Sequence, residues 1–300
     1  MDLPNNTSLS VSILRTVLYF EIFCYAPTVE ELSTWLIGPL KVKIKPTTKQ
    51  IIRAINNNSK LIYSHNRICT LGNNKLINQS NQRSQYFPSK INQAIQKIKL
   101  LKLIPTVKLI AVTGSVAAKS PHKNDDIDLL IVTKTNNLWT TRLIIILLTE
   151  ILQVRRRPKD KEYNNKLCFN LFLDENALHI NKDKQDLYTA HEILQIIPLY
   201  NKDQTYQKML TQNLWTKKFH PMFSFPRMLD KNKNTHIKFS SKGTVESICW
   251  FIQRKYMTRL QTREVVTPQS AFFHPFDYRQ FVVNSYNTKL SLHDSKYAKK

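Results

Sequence analysis

Val107-Lys108-Leu109-Ile110-Ala111-Val112-Thr113-Gly114-Ser115, followed after ten residues by Asp126-Ile127-Asp128-Leu129-Leu130-Ile131-Val132, decides the fold. Two apolar, β-branched runs separated by Gly-Ser and a short polar segment predict a strand, a tight turn and a second strand. Alternation along the second strand puts Asp126 and Asp128 on one face and Ile127 and Leu129 on the other. At ~3.3 Å per residue the two carboxylates stand roughly 7 Å apart along the chain. Carboxylates so placed can share one or two divalent cations. Gly114 lets the backbone approach a bulky anion because no Cβ intervenes. Ser115 adds a hydroxyl at a helix start, where free N–H groups favour phosphate. The two halves together describe a site for a metal-bound triphosphate.

This pattern of a hydrophobic strand, Gly-Ser, about ten residues and Asp-hydrophobic-Asp-hydrophobic resembles the nucleotidyltransferase superfamily, which includes polymerase beta. The resemblance implies that Gly114 and Ser115 hold the triphosphate of an NTP substrate and that Asp126 and Asp128 hold Mg²⁺, two ions being expected. Over residues 10–220 the chain looks like a group of bacterial nucleotidyltransferase-domain proteins with a winged N-terminus, which supplies no acceptor.

Lys and Arg outnumber Asp and Glu by 45 to 21, a net charge of +24. The excess is uneven: 13 basic against 4 acidic residues in 1–100, 14 against 11 in 101–200, and 18 against 6 in 201–300. Basic flanks around a less basic centre suit a polyanionic partner, RNA or DNA, or the nucleotide itself. A chain rich in Asn, Lys and Ile throughout explains the same excess without any partner. The four cysteines, Cys24, Cys69, Cys168 and Cys249, form no zinc spacing and no disulfide framework, which points to a reducing cytoplasm. Asp2, Arg15 and Glu21 argue against a signal peptide, and the apolar run at Leu143–Leu148 is too short to span a bilayer.

Residues 1–75 are expected to form a winged-helix-like domain. A helix over 8–24 ends before Pro27. Two capping-box patterns, Thr28 with Glu31 and Thr47 with Gln50, each open a further helix. A hairpin follows, with strands at Leu61-Ile62-Tyr63 and Ile68-Cys69-Thr70-Leu71. In a winged helix Lys49, Gln50 and Arg53 would face nucleic acid, with His65 and Arg67 at the wing tip. The alternative is a domain that packs on its neighbours and touches no nucleic acid. Residues 72–87 read as a linker, and Pro88 opens a helix through Leu101.

The catalytic domain is expected over 88–180. After the aspartate pair an apolar helix runs from Leu138 to Val154 and ends at Arg155-Arg156-Arg157. That triplet suits either the helix C-terminus or a phosphate. The next strand is Lys166 to Leu173. Members of the superfamily usually bring a third acid from such a strand, whereas here Asn170 occupies the inner polar position. Asn cannot act as a base at neutral pH, so Asp174, which alternation places on the face of Asn170, is the candidate for the missing catalytic role. Residues 181–300 are expected to be a helical domain. Its helices run from Leu187 to Ile197, Asp203 to Phe219, Thr244 to Leu260 and about Asp277 to Leu290. Loops at 220–241 and 268–275 separate them, and a disordered tail, 296–300, follows. His191 reads as a packed residue.

The fold class expected is α+β, a small mixed sheet flanked by a winged helix and a helical domain. The expected activity is Mg²⁺-dependent transfer of NMP from an NTP to a hydroxyl acceptor. The competing expectation, favoured by the missing acid, is a nucleic-acid-binding regulator built on a degenerate fold of this kind.

Overall fold

The computed structural model describes residues 8–38, 44–157, 160–228, 243–258, 265–273 and 278–295. It is a mixed α+β structure organised on one six-stranded sheet. The expected tail 296–300, the expected loop beyond Met228 and the end of the helix expected to reach Leu260 lie outside the described residues.

Helices α1 (Leu9–Ile22), α2 (Val29–Trp35) and α3 (Thr48–Asn56) precede a hairpin of β1 (Leu61–Ser64) and β2 (Arg67–Thr70). Both capping boxes form, Thr28 with Glu31 and Thr47 with Gln50. Ile13, Val17, Leu32, Ile51, Ile55 and Ile68 close into one apolar core. Arg67 corrects the expectation of a basic wing tip. Its guanidinium is buried, donating to the Ala26 carbonyl, Asn81 Oδ1 and Ser84 Oγ at 2.6 Å each. Asn81 and Ser84 belong to α4 (Lys75–Ser84), a helix where the polar sequence reads as linker. Burying Leu76 and Ile77 outweighs the weak helix propensity of its Asn and Ser residues.

Next come α5 (Phe87–Lys97), β3 (Val107–Val112), the single turn α6 (Gly114–Ala117), β4 (Ile127–Thr133), α7 (Leu138–Ile151) and β5 (Leu167–Asp174). β3 and β4 are antiparallel, whereas β4 and β5 are parallel. The last third contributes α8 (Leu187–Gln195), β6 (Ile197–Asn201), α9 (Thr205–Gln212), α10 (Thr244–Thr258), β7 (Val265–Val266), β8 (Ser270–Phe272) and α11 (Tyr278–Ser295). It is therefore not purely helical. β6 pairs with β3, β8 with β5, and β7 with β8, giving the order β6-β3-β4-β5-β8-β7. Ile127, Leu129 and Ile131 face a core shared with α5, α7 and α10, while Leu130 and Val132 face α9 and the end of α8.

α7 begins at Asn137, whose side chain makes no capping bond. Its free N–H groups are met from far along the chain by Glu246 on α10. Oε1 accepts from Trp139 N at 2.7 Å, and Oε2 accepts from Thr140 N at 2.9 Å and Thr140 Oγ1 at 2.7 Å. A buried carboxylate at a helix start combines cap and dipole terms. Glu246→Ala is expected to lower stability by about 2–3 kcal/mol, read as a shift in denaturant midpoint.

His191 on α8 is buried, as expected of a packed residue, among Tyr19, Phe20, Trp35 and His220. Burial lowers both imidazoles, His220 to about 4 and His191 well below its usual value. Unfolded histidine titrates near 6.5. Between about 6.5 and 4 the unfolded chain therefore binds protons that the folded chain refuses. Stability is complete above pH 6.5 and falls with pH through that window. For His220 alone the loss is expected to reach about 3 kcal/mol by pH 4, measurable as a Tm difference that His220→Phe reduces, His191 supplying the remainder.

Candidate active site

The site forms where β3 ends and β4 begins. Thr113 N donates to the Asp128 carbonyl at 2.9 Å, joining the two strand ends. Gly114 turns the chain there with φ +61°. A Cβ on Gly114 would meet Asp128 Oδ2 at 2.5 Å and Asp128 Cγ at 3.3 Å, so the glycine leaves the space that the carboxylate occupies. Asp126 and Asp128 lie on the same side of the sheet, as alternation predicts. Oxygens of the two carboxylates lie within 4.8 Å of each other and of Cys168 Sγ.

Burial, reinforced by the neighbouring Asp126 charge, pushes the Asp128 carboxyl up to about 7. Asn170 Nδ2 donates to Asp128 Oδ1, and Cys168 Sγ donates to Asn170 Oδ1 at 2.9 Å. Asp126 is met from the other side by Arg156 Nη1 at 2.6 Å, whose guanidinium lies 4.4 Å from the centroid of the Tyr163 ring. The arginine triplet falls beyond α7 rather than in its last turn. Arg155 and Arg157 pair with Glu150, and Arg156 turns to the site.

Ser115 Oγ donates to Asp125 Oδ2 at 2.9 Å, which also accepts from His122 N at 2.8 Å. Asp125 thus fixes the intervening loop and holds the Ser115 hydroxyl beside the glycine turn. Lys119, His122 and Lys123 on this loop are exposed.

Asp174 is not brought to the site. β5 carries a bulge at Asn170, where the register changes from Leu129 opposite Phe169 to Leu130 opposite Leu171. The extra residue inverts the alternation beyond it, so Asp174 falls on the opposite face from Asn170. It pairs with Thr133, five residues past Asp128 and roughly 17 Å along the strand. There it is buried, its carboxylate accepting from Asn176 N at 2.8 Å and Asn136 N at 3.4 Å.

A further acid coupled to the site by charge is Glu192 on α8. Burial and then the charge of Asp128 raise its carboxyl to about 7, and Gln195 Nε2 donates to its Oε1. The sequence signal missed was the partly polar face of the helix that leads into β6. β6 pairs Ile197 with Val112 and so delivers the end of α8 to the glycine turn.

The resemblance carried by the glycine turn and the aspartate pair implies a divalent cation. Two carboxylates and a thiol converging within 4.8 Å, against a turn where no Cβ fits, are a donor set that suits one. Asp126 and Asp128 would hold it.

Residues 90–203 match the family model described as a nucleotidyltransferase domain. No curated protein matches the chain. Among solved structures, one described as a toxin-antitoxin with AMP-PNP matches at 16% identity and a TM-score of 0.23, covering 42% of this chain and 88% of that one. A mutant of the toxin-antitoxin MntA-HpeT matches at 14% and 0.22, with the same coverage. Among the described residues no helix is long and apolar enough to cross a membrane. The glycine turn and the aspartate pair both lie inside the span, residues 90–203, that is similar to the nucleotidyltransferase domain.

Proposed function

We propose that the protein transfers NMP from an NTP to a hydroxyl acceptor. The observation that carries this reading is the contact of Gly114 with Asp128: the carboxylate fills the space that a side chain at the turn would take. The turn for a triphosphate and the carboxylates for a cation are thus one site rather than two.

Asp126 and Asp128 would hold the divalent cation, for which the sequence resemblance implies Mg²⁺ and two ions. When bound, such a cation neutralises phosphate charge and favours the deprotonated acceptor oxygen. Gly114 and Ser115 seat the β and γ phosphates, the hydroxyl being oriented by Asp125. Arg156, held over Tyr163 and beside Asp126, would offer its guanidinium to the same phosphates. The acceptor oxygen forms a bond to the α-phosphorus, the bond from that phosphorus to the bridging oxygen breaks, and pyrophosphate leaves. Glu192 receives the acceptor proton, because a carboxylate that titrates near 7 is matched to that task at neutral pH.

Asn170 in the inner position of β5 favours a second reading, a nucleotide-sensing regulator that binds nucleic acid and does no chemistry. The exposed Lys49, Gln50 and Arg53 of α3 are its candidate contacts. Incubation of the protein with each α-labelled NTP, Mg²⁺ and total cell extract separates the two. Transfer of label to one fraction with stoichiometric pyrophosphate release is expected. NTP binding without pyrophosphate would establish the sensor instead. In the same assay Glu192→Gln is expected to slow transfer about 10²-fold while leaving NTP binding unchanged.

A further inference from the structure

The parallel register of β4 and β5 sets Cys168 opposite Asp128. Its Sγ and the carboxylate oxygens of Asp126 and Asp128 all lie within 4.8 Å of one another. A cation with bonds of about 2.0–2.3 Å holds neighbouring donors roughly 3.3–4.0 Å apart, so donors already within 4.8 Å of one another close on one ion when each side of the triangle shortens by up to about an ångström. Asn170 sits behind it, accepting from Cys168 Sγ and donating to Asp128 Oδ1. An amide bonded to two donors orients both, as outer partners of metal ligands do. The strand that should supply a third oxygen has thus placed a sulfur there.

We propose that Cys168 Sγ is the third ligand of the cation centre, and that the centre therefore takes a thiophilic divalent ion, Zn²⁺ or Co²⁺, more tightly than Mg²⁺. This rests on the reading of Asp126 and Asp128 as cation ligands. Carboxylates alone suit Mg²⁺ and Mn²⁺, whereas a thiolate adds a bond that Mg²⁺ gains little from. Binding forms the metal–sulfur bond and releases the Sγ proton to solvent. Of the other cysteines, Cys69 and Cys249 are buried away in apolar cores and Cys24 is exposed at the end of α1.

Titration of the full-length protein with Co²⁺ tests the proposal without any turnover. Expected are a near-ultraviolet thiolate-to-cobalt charge-transfer band, its loss in Cys168→Ser, and its displacement by Zn²⁺ at concentrations where Mg²⁺ has no effect. Zinc affinity should fall about tenfold or more in Cys168→Ser. Zn²⁺, unlike Mg²⁺, should also shield Cys168 from iodoacetamide while Cys24 alkylates normally. Cobalt bound with no thiolate band, or a band that survives Cys168→Ser, overturns the proposal and leaves Asp126 and Asp128 as an all-oxygen centre. Absence of any divalent binding by the parent protein overturns both this proposal and the reading beneath it. The double variant Asp126→Asn, Asp128→Asn, which should bind no cobalt, reports on the latter alone.

Discussion

Gly114→Ala is expected to cost more than any other single-methyl addition in the protein. The backbone there is left-handed, which costs a residue with a Cβ about 1–2 kcal/mol. The added carbon would also stand 2.5 Å from Asp128 Oδ2, well inside contact distance. That atom ends a short side chain already held by Asn170, so relief comes from rotating the carboxylate away from Asp126. Cation affinity and transfer should therefore fall together, the rate by about 10²-fold or more, since displacements of this size misalign reacting groups. Paired Mg²⁺ titrations and single-turnover rates check this. A variant melting a few degrees lower with undiminished turnover would mean that the turn does not shape the site.

Changing Asp126 and Asp128 together to asparagine is expected to abolish transfer, by about a thousandfold or more, because the several kcal/mol that a bound cation contributes is lost. The fold should survive and, without metal, improve. The folded Asp128 carboxyl titrates near 7 against an ordinary value of 3.8. Between those pH values the folded chain holds a proton that the unfolded chain has released, so this group costs increasing stability as pH rises from 4 to 7 and its full penalty above 7. The metal-free double variant should thus melt higher than the parent at pH 8, with the difference shrinking toward pH 4. Arg156, stripped of Asp126, offsets part of the gain. Thermal melts across pH, beside a pyrophosphate assay, give both halves of the expectation.

What the sequence revealed and concealed divides along the range of the interactions. The strand, glycine turn and aspartate pair were legible because alternation and a turn residue are local properties of about twenty-five residues. The two capping boxes were legible for the same reason. β6 has no counterpart among the expected elements: Pro198 closes the expected helix at Ile197, and only pairing with β3 makes the residues that follow a strand. β7 and β8 are two and three residues long, too short to show a period. Asp174 was misplaced by one inserted residue. A bulge leaves no mark in an apolar run, yet it turns every later side chain to the other face. Arg67 looked like a wing-tip cation because nothing near it in sequence could bury it. Its acceptors come from a segment that composition marks as linker. Glu192 and Glu246 reach their partners from more than sixty positions away, beyond any motif.

α8 has two sides with different neighbours. One carries Glu192, whose carboxyl feels the Asp128 charge, while Leu187, Ala190 and His191 press on residues of α1 and α11. The proposed base is therefore carried by the same short rod that α1 and α11 pack against, so the outermost helices and the candidate site share one supporting element.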